Sequence, residues 1–159
     1  MTAIIRSILP LIAALLLLGP PHAASQDRIP SPEEVLGYRL GELYTSHEGI
    51  SKYLDALAAA APDRMTIVRY GTTYEGRALR FAVVSAPSNL AGLDRIRSNS
   101  RRLADPRTLT EPEAAKLIGT MTAIAWLSYG VHGNEASSPE AALNVLYHLL
   151  ASTDPDTTR

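Results

Sequence analysis

Thr122-Ala-Ile-Ala-Trp-Leu-Ser-Tyr129 runs without a charge straight into Gly130-Val-His-Gly-Asn-Glu135. The first eight residues are apolar towards both faces, as a central strand must be when helices cover it on each side. The next six place an imidazole, His132, and a carboxylate, Glu135, three residues apart where that strand would end. Ligands of open α/β sheets gather at the carboxyl ends of strands. Gly130 and Gly133 flank His132 and let the backbone turn tightly, so the two side chains can converge as a two-point clamp for a divalent metal. Imidazole plus carboxylate without sulfur suits zinc, which in catalytic sites takes three protein ligands and keeps one position open. A loop histidine that merely has Glu135 nearby is the plainer alternative.

Outward from this stretch the chain alternates helix signals with strand-like runs. Downstream, Ser137-Ser-Pro-Glu140 has the form of a capping box and opens a helix whose buried stripe is read as Ala141, Ala142, Val145, Leu146, Leu149 and Leu150. Upstream, Thr110-Glu-Pro-Glu113 caps a helix to about Gly119, and Leu90–Leu103 carries apolar residues at helical spacing. Met65–Tyr70 and Ala78–Val84 are strand-like and are joined by Gly71-Thr-Thr-Tyr-Glu-Gly-Arg77, a hairpin with a connection longer than two residues. Thr45-Ser-His-Glu48 is read as a further capping box, with Thr45 as the cap, before a helix ending at about Ala60, where Pro62-Asp63 stops it. Gln26–Gly41 has no sustained period and reads as an extended lead-in. The order implies an α/β fold, a mixed sheet flanked by helices in three layers.

Met1–Ala24 combines Arg6, an apolar stretch from Ile8 to Gly19, Pro20-Pro21 and small residues, the layout of a secretory signal peptide, with cleavage after Ala24 or after Ser25. An uncleaved membrane anchor is the alternative, although Pro10 and Pro20-Pro21 shorten its usable helix. The expected organisation is a signal peptide over residues 1–24, a lead-in over 25–43 and a catalytic domain over 44–159. The membrane is met only through the signal, and the mature protein is exported to the periplasm or the extracellular space. The chain has no cysteine, which excludes a disulfide framework and thiolate metal ligands. With a formal net charge of −1 and only Lys52 and Lys116 as lysines, it is not a nucleic-acid binder. Arg95, Arg97, Arg101 and Arg102 read as a solvated helix face.

Gly130-Val-His-Gly-Asn-Glu-Ala136, after a strand and before a capped helix, resembles the first zinc-binding segment of the zinc metallocarboxypeptidases of the carboxypeptidase A type, peptidase family M14. Gly71-Thr-Thr-Tyr-Glu-Gly-Arg77-Ala-Leu is similar to the segment those enzymes carry between two early strands, and the two pieces stand in the family's order and spacing. The resemblance covers roughly Tyr44 to Arg159. It implies that His132 and Glu135 are the first two of the ligands of a Zn2+ ion. The family's third ligand, general base and substrate-carboxylate grip lie further on and have no counterpart before Arg159. His148 is no substitute, because it falls within the following helix. The expectation is therefore an N-terminal fragment of a metallocarboxypeptidase, truncated after the first strands, with no catalytic residue of its own and inactive alone. In the complete enzyme zinc would polarise the scissile carbonyl and bring the pKa of its bound water to about 7, and a downstream carboxylate would shuttle the proton to the leaving amine.

Asn134, between the two ligands, is the candidate substrate-binding residue. Many digestive members carry Arg there, and the His-Gly-Asn-Glu form also resembles related zinc deacylases and amidases. The substrate is thus a peptide or an acylated amino acid. The alternatives are a zinc amidase or deacylase acting on cell-wall peptides or N-acyl amino acids, and a non-catalytic secreted module.

Overall fold

A computed structural model describes residues 28–158. The segment read as a signal peptide, the cleavage site expected of it and His22 lie outside the described residues. The elements run α1 (Pro32–Leu36), α2 (His47–Ala60), β1 (Met65–Thr72), β2 (Ala78–Val84), α3 (Pro87–Ala91), α4 (Leu93–Ala104), a 3-10 turn (Pro106–Thr108), α5 (Glu111–Thr120), α6 (Ser137–Ala151) and α7 (Pro155–Thr158). Helices and an antiparallel strand pair share one core, in keeping with the α/β class.

The hairpin forms as the sequence implies. Met65 pairs with Val84 and Ile67 with Ala82, and the register shifts between Arg69 and Gly71. The turn closes through Thr73 N–H donating to the Arg77 carbonyl at 2.7 Å and Gly76 N–H to the Thr73 carbonyl at 3.0 Å. Gly76 sits at φ 83°, a left-handed conformation that side chains disfavour. Because side chains alternate along a strand, Met65, Ile67, Ala82 and Val84 share one face. That face meets α2 and α6 around Tyr53, Leu57, Ala61, Leu143 and Leu150.

α2 starts one residue later than expected. Ser46 is its cap, its hydroxyl accepting from Gly49 N–H at 3.2 Å. Thr45, expected to cap, is instead 2% exposed and turned inwards. The span from Leu90 to Leu103 is not one helix, since Gly92 ends α3 and begins α4. Ile96 is its buried residue, and Arg95, Arg97, Arg101 and Arg102 are exposed, the solvated face expected of them. In α5, Glu113 accepts from Thr110 N–H at 2.8 Å and from its hydroxyl at 2.7 Å, so that capping box forms as read.

The lead-in is not merely extended. Ser31 and Glu34 make a capping box at the start of α1, and Gly37 closes it at φ 85°. Ile29, Val35, Leu36 and Leu40 pack against the core, and the Tyr53 hydroxyl donates to the Pro30 carbonyl at 3.0 Å. Short-range periodicity could not show this, because five helical residues complete barely one turn. The Ser31 N–H, with Arg28 and the Ser31 hydroxyl, holds the Glu34 carboxyl down to about 2 from an ordinary 4.5. The sign follows: the box is fully stabilising above pH 4.5 and weakens as pH falls through about 2. An NMR titration should place the Glu34 midpoint near 2, and Ser31→Ala, which keeps the N–H but removes the hydroxyl, should raise it modestly; an unmoved midpoint in the variant would remove the Ser31 hydroxyl as a cause.

The central strand expected at Thr122–Tyr129 does not form. Among the described residues the sheet has two strands, β1 and β2. Residues 123–130 carry no ladder, and Ile124, Trp126 and Leu127 are exposed. The Trp126 ring lies 5.9 Å from that of Phe81, on the hairpin face opposite the core. An apolar run signals readiness for burial, but a central strand also needs two neighbours to take its amides and carbonyls. Here β1 and β2 pair with each other, and no third strand joins either edge among the described residues.

α6 buries Glu140, Leu143 and Leu150, with Leu146 and Tyr147 packed beside them. Its stripe is thus rotated from the expected one, with Leu143 central and Ala141 exposed. At its far end Arg64 donates to the Leu149 and Leu150 carbonyls, each at 2.8 Å. A guanidinium there satisfies orphan carbonyls and complements the negative end of the helix.

Candidate metal centre

The loop between residue 129 and α6 is built by its own backbone. Gly130 adopts φ 71°, and no atom stands within 4 Å of where a Cβ would lie. Its glycine is therefore required by the dihedral and not by space. Gly133 has neither a positive φ nor a close neighbour, so the tight turn expected at both glycines rests on Gly130. The Glu135 N–H donates to the His132 carbonyl at 3.2 Å, which folds the loop back and brings the two side chains to the same side.

His132 Nδ1 lies 3.0 Å from Glu135 Oε1, and the side chains are 70% and 56% exposed. Two donors on one tetrahedral zinc, at bond lengths of 2.0–2.2 Å, stand about 3.3 Å apart. The observed separation therefore suits a shared proton or, after a small opening, a shared zinc. The donor set is nitrogen plus oxygen, and its exposure leaves it open to a metal from solvent. These residues fit zinc as part of a ligand set. Among the described residues no third His, Asp or Glu joins them.

Asn134 occupies the turn between the two, exposed. The other histidines lie elsewhere. His47 is half-buried rather than fully solvated, its Nε2 3.3 Å from the Ala78 carbonyl. His148 is exposed on α6, its ring beside Tyr147.

Two residues near the loop escaped the sequence reading in their actual roles. Ser137 does not cap α6; Ala136 takes that position without a side-chain bond. Ser138 instead accepts from Gly130 N–H through its hydroxyl at 2.8 Å, and donates its own N–H to the Glu135 carbonyl at 3.3 Å. Glu140, read as the carboxylate of a capping box, turns inwards. It is 8% exposed and accepts from Gly41 N–H at 2.7 Å, Thr45 N–H at 3.2 Å and the Thr45 hydroxyl at 2.8 Å. The Tyr38 hydroxyl adds a bond to Thr45 Oγ1 at 3.0 Å. A Ser-x-x-Glu string looks the same in sequence whether its glutamate reaches back to the cap or across to another segment.

The model of the zinc carboxypeptidase family, peptidase M14, matches residues 50–159. No curated protein and no solved structure matches the chain.

Proposed function

This chain belongs to the zinc carboxypeptidase family, and on that premise we propose that His132 and Glu135 are two of the protein ligands of a catalytic Zn2+. Its class is that of a zinc peptidase, a hydrolase. The observation that carries the assignment is the 3.0 Å approach of His132 Nδ1 to Glu135 Oε1 on a loop shaped by Gly130. Bound zinc supplies Lewis acidity towards the scissile carbonyl and an acidified water. His132 and Glu135 contribute lone pairs and position. As ligands neither serves as the acid or base, which falls to another carboxylate.

Asn134 sets an uncharged amide between the ligands, where it can hydrogen-bond an acyl or peptide oxygen but cannot neutralise a substrate carboxylate as a cation would. Release of a C-terminal residue from a peptide marks a carboxypeptidase; cleavage of N-acyl amino acids or cell-wall peptides alone marks an amidase or deacylase. On the layout of Met1–Ala24 we also read the protein as exported.

The test is zinc titration of the full chain by competition with a chromophoric chelator. Wild-type affinity should be weak, because two ligands under-coordinate the ion, and either His132→Ala or Glu135→Ala should lower it about tenfold or more. Binding that survives both substitutions would sink the assignment. A submicromolar affinity abolished by His132→Ala would keep the residues and overturn the expectation of a weak site.

A further inference from the structure

We propose that the first turn of α6 is the positioning device of the metal-ligand loop, with Ser138 as the clasp and Glu140 as the anchor. The inference rests on reading His132 and Glu135 as zinc ligands. It assigns roles to residues that touch neither the metal nor the substrate.

Ser138 closes both ends of the loop. Its hydroxyl receives Gly130 N–H, and its own N–H reaches the Glu135 carbonyl. His132 lies between these two fixed points, so the bite of the ligand pair depends on the clasp. Gly130 is held in a left-handed conformation, and its N–H bond to Ser138 Oγ favours that conformation over the alternatives a glycine can adopt. The clasp holds the loop still only if the turn that carries it is itself fixed. Glu140, two residues on, supplies this by gripping Gly41 and Thr45, distant in sequence, through a carboxylate that is almost wholly buried. Thr45 leads directly into α2, at the edge of the core. The loop is thus tied through one turn of helix to the best-packed part of the molecule. Residues that orient ligands in this way change metal affinity by about 10–100-fold without touching the ion.

The experiment pairs amide hydrogen exchange in the metal-free full chain, read by NMR at Gly130 and Glu135, with zinc titration. Ser138→Ala should speed exchange at Gly130 by about tenfold, the order of one hydrogen bond, and weaken zinc binding by about tenfold. Ser138→Thr, which keeps the hydroxyl, should restore both, whereas a purely structural role would give no such rescue. Glu140→Gln keeps an acceptor for Thr45 but turns an NH2 towards Gly41 N–H, and should speed exchange at Gly130 with Ser138 intact. Unchanged exchange in Ser138→Ala overturns the clasp, and unchanged exchange in Glu140→Gln overturns the anchor. Faster exchange with unaltered zinc affinity, while His132→Ala abolishes binding, overturns positioning and leaves the ligand assignment standing. Zinc binding independent of His132 removes the ligand assignment and with it the zinc role of the turn, while Gly130 exchange still decides whether the clasp exists.

Discussion

Glu140→Ala lowers the unfolding free energy by about 3 kcal/mol, the sum expected for two orphaned donors at about 1–3 kcal/mol each. The wild-type carboxylate serves Gly41 N–H, Thr45 N–H and the Thr45 hydroxyl. Gly41 is exposed and can turn to water, but Thr45 is 2% exposed and its N–H has no such recourse. The variant therefore leaves the two Thr45 donors without the acceptor they share. Glu140→Gln should cost about half as much, because its carbonyl still accepts from Thr45. Urea unfolding followed by circular dichroism measures both. A loss below about 0.5 kcal/mol in Glu140→Ala, the size of an exposed substitution, would show that water reaches Thr45 and that the carboxylate is no anchor. Glu140→Leu offers a further comparison: it fills the volume yet satisfies no donor, so it should be no better than Ala if hydrogen bonding dominates.

The parts of this molecule that were legible in the sequence are those whose physics is local. The helix over His47–Ala60, the hairpin at Met65–Val84, the capping box at Thr110 and the His132–Glu135 loop each depend on neighbours a few residues away. Boundaries slipped where two adjacent hydroxyl residues competed, as Thr45 and Ser46 did for the cap of α2. The side chain that lost the cap became part of a buried network reaching Glu140, a partner 95 positions away, and no short-range pattern encodes such a pairing. The same limit explains Thr122–Tyr129. Its apolar character was visible, but the residues that would pair with its backbone are a property of the whole fold. Among the described residues its Trp126 ring meets Phe81 of the hairpin, but no strand pairs with its backbone. The family assignment was legible because it rests on two short strings in order, Gly71–Leu79 and Gly130–Ala136, inside the matched span of 50–159. Among the described residues no third His, Asp or Glu joins His132 and Glu135.

Tyr53→Ala should be the costliest single truncation in the core, lowering stability by about 3–5 kcal/mol. Tyr53 is 0% exposed and belongs to the cluster with Leu57, Met65, Leu143 and Leu150, so the missing ring leaves a cavity bounded by α2, α6 and the start of β1. Burial also pushes its phenol well above the ordinary tyrosine value, as a hydroxyl shielded from water must be. Tyr53→Phe separates the two contributions: the ring stays and only the bond to the Pro30 carbonyl is lost, for about 1 kcal/mol. That bond tethers the lead-in, so the Phe variant should also loosen α1, and proteolysis near Pro30 should quicken more than global stability falls. A Tyr53→Phe protein as resistant as wild type would mean that Val35, Leu36 and Leu40 hold the lead-in by packing alone. The distinction bears on the site, because Gly41 and Thr45, which Glu140 grips, lie on the stretch that links this lead-in to α2. If the tether matters, the stiffness of the ligand loop begins at Tyr53.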